Sequence, residues 1–215
     1  MNPIERLNEW LQSRRDDRAA RLASREYTDI ATLSRKGVLR AKGTGQSITQ
    51  IRAAITSRVR VPVKVLVPHG TYFVASGAHQ NMVTRQEYRF DLGAMDTRHI
   101  SVPASCINAN LAIPRESDAF RGVAKVSKNL SRFLEAAQGE DPMTVQAGVW
   151  AITDGYTGAQ VQQHLRIRRS SARGAIGGLR SPLDQFGSDG GSAVSDSNIR
   201  RAREILRGLG IRTNL

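Results

Sequence analysis

The hydrophobic pattern of this chain changes its period near Cys106, and this change limits the folds that the chain can adopt. Before this point apolar side chains alternate with other residues, as in Val63, Val65 and Val67. A period of two is typical of half-buried β-strands. After residue 117 the apolar residues return every third or fourth position, which indicates amphipathic helices. Roughly six or seven short strands followed by helices predict an α+β protein, with an antiparallel Ig-like β-sandwich followed by a helical cap.

Composition shifts and turn residues divide the chain into five predicted parts. These are a basic N-terminal helical arm at 1–36, a β-sandwich at 37–105, a helical cap packed on the sandwich at 106–169, a Gly/Ser-rich loop at 170–194 and a C-terminal helix at 195–215. The predicted core consists of apolar residues on inward faces: Val63, Val65, Tyr88, Phe90, Ile100 and Val102 in the sandwich, and Phe120, Val123, Leu130, Phe133, Val149 and Trp150 in the cap.

The positive charge of the chain is concentrated at its two ends. Residues 1–60 hold 13 basic and 6 acidic side chains, 61–159 hold 9 of each, and 160–215 hold 10 and 4, within a total of +13. Basic ends can bind nucleic acid, an anionic lipid surface or an acidic partner. Alternatively, the predominance of arginine over lysine reflects the codon composition of a GC-rich genome. The candidate polyanion-binding residues are Arg14, Arg15, Arg18, Arg21, Arg166, Arg168, Arg169, Arg200 and Arg201.

The single cysteine and the absence of a long apolar run indicate where the protein resides. One cysteine cannot form a disulfide within the chain. No stretch reaches the roughly 18 consecutive apolar residues of a membrane span, and the charged N-terminus does not resemble a secretory signal. We therefore expect a cytoplasmic protein, while an exported form stays open. No His/Cys pair has zinc spacing, and Asp184 and Asp189 lack the other ligands of a calcium loop, so we expect no metal and no cofactor.

Two short motifs lie at the ends of the segment from 105 to 155. The first, Ser105–Asn108, holds the only cysteine and follows the last predicted strand. The second, Gln146–Asp154, has the form Gln-x-x-aliphatic-Trp followed by Thr and Asp, on a helix that Asp141 and Pro142 are expected to begin. A thiolate is a good nucleophile, and an acyl group that is held beside it gains greatly from proximity.

These motifs resemble those of the thioester domains of bacterial surface adhesins, which have a cysteine at the end of a β element and a later helical Gln-x-x-aliphatic-Trp motif. The resemblance implies an internal thioester between the Cys106 sulfur and the Gln146 side-chain carbonyl. Such a bond acylates a nucleophile on a target and leaves a covalent link. We expect Trp150 to shield the bond as an apolar wall that excludes water, and Asp154, at the end of the motif, to support the site. The resemblance is confined to this segment, and the aromatic residues that flank the family's cysteine are absent here.

Three functional interpretations follow, and we expect the first. It is a non-enzymatic binding module for an unknown protein partner, with the thioester as its reactive group. The second is a basic scaffold that binds nucleic acid or another polyanion through its ends. The third is an enzyme that uses Cys106 together with a histidine, for which the candidates are His69, His79, His99 and His164. The simplest alternative has no chemistry: Cys106 is a small buried apolar residue and Gln146 hydrogen-bonds a loop. The oligomeric state is left open.

Overall fold

The structure, a computed structural model, describes residues 18, 20–165 and 192–215 and has mixed α and β content. Its strands are β1 (Thr28–Asp29), β2 (Leu39–Ser47), β3 (Gln50–Ser57), β4 (Val63–Val67), β5 (Thr71–Ala75), β6 (Asn81–Thr84), β7 (Tyr88–Leu92), β8 (Thr97–Ile107) and β9 (Ala119–Lys125). Its helices are α1 (Ile30–Arg35), α2 (Lys128–Ala136), α3 (Pro142–Thr153), α4 (Gly158–His164) and α5 (Asp196–Gly208).

Six strands form a closed antiparallel barrel in the order β2-β3-β8-β6-β5-β9. The predicted Ig-like β-sandwich is therefore wrong. Two features of the pairing explain the difference. Strand β9 pairs with both β2 and β5 and so closes the barrel, whereas β4 and β7 leave it to form a separate sheet with β1. A barrel of this size has a narrow interior that side chains fill, which suits the small inward residues Ala41 and Ala53.

Strand β9 occupies a segment for which the sequence predicted a helix. Phe120 and Val123 are three residues apart, and this spacing resembles a helical face. In the structure the two residues belong to a strand whose register with β5 shifts between them. Gly122, with φ of +82°, lies within this irregularity and breaks the simple alternation. The helix begins only at Lys128, where Ser127 accepts a hydrogen bond from a main-chain N–H of the first turn.

The second sheet has three strands in the order β1-β4-β7, with β1 parallel and β7 antiparallel to β4. Its inward side is apolar, since Val63, Val65 and Val67 are all buried together with Phe90. Tyr88, which was expected in the core, is 39% exposed at the start of β7, so that prediction is wrong. The inward residues of both sheets belong to one hydrophobic core.

Helix α3 is the central helix of the structure and packs against β8, α2 and α5. Every residue from Met143 to Ala151 is buried, which is typical of a helix that is apolar all round. Asp141 caps its N-terminus and Pro142 occupies its first turn, as the sequence predicted. Gly148 allows the close approach of α2, because an added Cβ would lie 2.0 Å from Cζ of Phe133.

Residues 1–17 and 19 of the predicted N-terminal arm and residues 170–191 of the predicted Gly/Ser-rich loop lie outside the described residues. In the arm, residues 20–23 are helical, and a break then separates them from β1 and α1. No helix in the described part of the chain is long and apolar enough to cross a membrane.

Candidate functional site

The candidate site lies where the last residues of β8 lose one of their neighbouring strands. Strand β3 pairs with β8 only as far as Gln50 and Pro103. One step further, the Ala104 N–H donates to the Thr49 carbonyl in the turn between β2 and β3 at 2.9 Å. On its other side β8 continues to pair with β6 up to Ile107. The main-chain groups of Cys106 that point away from β6 therefore have no strand to bond.

Gln146 on α3 supplies the missing partner. The Cys106 N–H donates to Gln146 Oε1 at 2.9 Å, and Gln146 Nε2 donates to the Cys106 carbonyl at 2.7 Å. The side-chain amide thus makes the pair of hydrogen bonds that a neighbouring strand would make. Both residues are fully buried, so neither main-chain group has water as a substitute.

The Cys106 side chain lies on the interior face of the barrel. Cys106 is paired with Met82 on β6, which is paired with Phe73 on β5, and residues that pair directly point to the same face of a sheet. Its Sγ donates to the Ile48 carbonyl at 3.8 Å. Burial raises the pKa of the Cys106 thiol far above its usual range. The thiol is therefore protonated at neutral pH in this arrangement and is a weak nucleophile.

Arg85 completes the same edge of β8 and was not singled out from the sequence. Its Nε donates to the Ala104 carbonyl at 3.2 Å and its Nη2 to the Thr49 carbonyl at 3.1 Å. Burial lowers the pKa of Arg85, and the nearby Asp141 carboxylate opposes that shift. Arg85 and Gln146 satisfy successive main-chain groups along β8. The hydrogen-bond pattern along β8 reveals this role of Arg85, whereas the residues beside Arg85 in the sequence do not indicate it.

Trp150 lies one helical turn after Gln146 and is fully buried. Its ring packs edge-on to His164 at 4.9 Å between centroids and against Tyr156 at 5.9 Å. Its Nε1 has no hydrogen-bond partner among the described residues. Burial lowers the pKa of His164, with Asp154 acting in the opposite direction. Trp150 therefore adds an apolar wall to the helix that carries Gln146.

Asp154 fastens the segment after β8 to the end of α3. Its Oδ1 accepts from the Ala109 N–H at 3.0 Å, and its Oδ2 accepts from the Thr153 hydroxyl at 2.6 Å. On the other side of this segment, Asn81 donates to the Asn108 side chain. The structure thus brings Gln146 and Asp154 into hydrogen-bond contact with main-chain groups of one stretch, Cys106 to Ala109.

The arginines proposed to bind a polyanion do not form a comparable cluster among the described residues. Arg14, Arg15, Arg166, Arg168 and Arg169 lie outside the described residues. Arg18, Arg21 and Arg200 are exposed. Arg201 is engaged by Glu140 at 2.6 Å and by Glu204 at 3.3 Å, so its charge is compensated locally.

Two other kinds of site find no support in the described part of the chain. No hydrogen bond joins a histidine to Cys106 there, so the geometry of a Cys–His nucleophile is missing. Within the same residues, no group of three or more His, Cys, Asp or Glu side chains could hold a metal ion.

No protein-family model, curated protein or solved structure matches this chain.

Proposed function

We propose that this protein is a binding module in which Cys106 and Gln146 condense to an internal thioester that captures a partner covalently. The observation that carries the proposal is the pair of hydrogen bonds that holds the Gln146 amide against the Cys106 main chain, 40 residues away in sequence. An acyl group fixed beside a nucleophile reacts with a high effective concentration.

The bond would form by attack of Sγ on Cδ of Gln146. The S–C bond forms, the C–N bond breaks, and the thiol proton leaves with Nε2 as ammonia. The Cys106 N–H already donates to Oε1 at 2.9 Å, which is the geometry of a donor that stabilises an oxyanion during acyl transfer. The Cys106 side chain must first rotate away from the Ile48 carbonyl. The buried surroundings, with Trp150 one turn away, favour survival of the product against hydrolysis.

Capture of a partner requires this contact to open, because both residues are fully buried. We expect this opening in the stretch that follows Cys106 in the chain, which Asp154 holds through the Ala109 N–H. A nucleophile on the partner would then attack the acyl carbon, form a bond to it and release the Cys106 thiol.

The test is the intact mass of the purified chain. A thioester makes the protein one ammonia lighter than its calculated mass, and methylamine adds to the acyl group while exposing one thiol. Cys106→Ala and Gln146→Leu should each remove the deficit and the methylamine reaction. A wild-type chain of calculated mass, with a thiol that titrates fully after unfolding, would contradict the proposal.

The second candidate function is polyanion binding through the ends of the chain, and exposed Arg18, Arg21 and Arg200 favour it. Binding of duplex DNA should then weaken steeply with salt and fall when these arginines are replaced by glutamine. Unchanged binding in the triple variant would argue against it. We also propose a cytoplasmic location for the protein, because Cys106 has no disulfide partner.

A further inference from the structure

A basic groove opens on the barrel surface where β2 and β9 separate. The two strands pair from Thr44 and Ala119 as far as Lys42 and Arg121. Beyond that pair the positive φ of Gly122 turns β9 away. The gap is a groove of about 390 Å³, and its walls include Ser34 of α1 and four cationic residues, Arg40, Lys42, Arg58 and Arg121.

The cations in this groove lack compensating charge. None of the residues that line it is acidic. None of its four cations takes part in a salt bridge among the described residues. Arg121 donates one hydrogen bond to the Ser76 carbonyl at 3.1 Å, which leaves its other donors available. Three of these cations, Arg40, Lys42 and Arg58, belong to the basic segment 1–60, and the fold places them in one groove with Arg121 of β9.

The register of the strands makes this concentration costly when the groove is empty. Lys42 and Arg121 lie directly opposite each other on neighbouring strands. Like charges in that position destabilise a sheet, and an anion between them removes the repulsion. Guanidinium groups also match the oxygens of a phosphate group, to which they donate paired hydrogen bonds.

We propose that this groove binds a compact polyphosphate group. Four cations that line one groove suit a ligand with several negative charges in a small volume. None of the lining residues is aromatic, so the groove offers no platform on which a nucleic-acid base would stack. The polyphosphate could be inorganic or belong to a nucleotide, since both present the same oxygens.

The test is calorimetric titration of the full chain, at low ionic strength, with inorganic tripolyphosphate and separately with a nucleoside triphosphate. We expect saturable binding that Lys42→Gln/Arg121→Gln weakens at least about tenfold, which corresponds to about 1.4 kcal/mol. The matched control is Lys128→Gln/Arg207→Gln, which removes the same charge from two exposed residues outside the groove and should retain the wild-type affinity. Equal affinity for both ligands identifies the phosphate chain as the whole determinant, and tighter nucleotide binding adds a contribution from the nucleoside.

Two further variants separate binding from folding. Lys42→Arg/Arg121→Lys keeps both charges and should bind like the wild type. Lys42→Gln alone should raise the melting temperature of the ligand-free protein, because it relieves the like-charge pair. No saturable binding by the wild type, or an equal loss in the groove and control variants, would overturn the proposal.

Discussion

Replacing Gln146 by leucine tests the interpretation of its side chain as a partner for the β8 ladder. Leucine has nearly the same volume but makes neither of the bonds of 2.9 Å and 2.7 Å to the Cys106 main chain. Each buried main-chain group that loses its partner costs about 1–3 kcal/mol, so the two together should cost about 2–6 kcal/mol. Gln138→Leu, at an exposed position just beyond α2, is the control and should change stability by less than about 0.5 kcal/mol.

The measurement is equilibrium unfolding in urea, with Gln146→Leu made in a Cys106→Ala background where no thioester can form. Its free energy of unfolding is compared with that of Cys106→Ala alone. A loss no larger than that of the Gln138→Leu control would refute the ladder interpretation. It would mean that the two main-chain groups find other partners.

Gln146→Glu adds a pH dependence to the same test. A neutral carboxyl can accept from the Cys106 N–H and donate to its carbonyl, whereas a carboxylate cannot donate. Burial raises the folded-state pKa of the introduced carboxyl above the unfolded value of about 4.3. The variant should therefore approach wild-type stability below that value and lose stability as the pH rises through and above it. A pH-independent difference from the wild type would contradict this reasoning.

The remaining predictions concern three other contacts. Gly148→Ala should destabilise the protein by about 1–3 kcal/mol in urea unfolding, because the ring of Phe133 must move; in a Phe133→Leu background the same change should cost less. Asp154→Ala should lower the free energy of unfolding by about 1–3 kcal/mol, because the buried Ala109 N–H loses its acceptor. Asp154→Asn keeps an acceptor oxygen and should retain most of the stability. The hydrogen bond from Arg201 lowers the pKa of Glu140 below its ordinary value of 4.5. The Glu140–Arg201 pair therefore stabilises the folded protein at pH values above 4.5, and this stabilisation is lost as the pH falls through the lowered pKa of Glu140. The melting temperatures of the wild type and of Arg201→Gln should therefore converge in acid.

Most of the β-strands could be predicted from the sequence, but the barrel and its closure could not. The alternation of Val63, Val65 and Val67 correctly indicates a strand with one buried face. Alternation does not say which strand lies beside which, and β4 in fact lies outside the barrel. Closure depends on β9, where the irregularity at Gly122 breaks the alternation and the spacing of Phe120 and Val123 suggests a helix. The architecture depends on pairing between strands that are distant in sequence, and local periodicity does not encode this pairing.

The residues of the candidate site could be proposed from the sequence, but the hydrogen bonds that hold them to β8 could not. The two motifs directed attention to Cys106, Gln146 and Asp154. In the structure Gln146 bonds to the Cys106 main chain, and Asp154 bonds to the Ala109 N–H three residues further along. That a glutamine amide acts as a strand partner depends on where β3 ends. The role of Arg85 depends on the same geometry. Both are consequences of the register, which the sequence of a single chain does not reveal.

Closure of the barrel also restricts how other chains can attach to this protein. Each of its six strands has a neighbour on both sides, so a foreign strand cannot extend it by β-augmentation. Within the described residues, the three-stranded sheet ends in β1 and β7, whose outer sides do not pair with another strand. The exposed side chains of Tyr88 and Arg89 flank the second of these borders. Edge-to-edge aggregation or domain swapping should therefore begin at β7, and a proline introduced there should suppress it without opening the barrel.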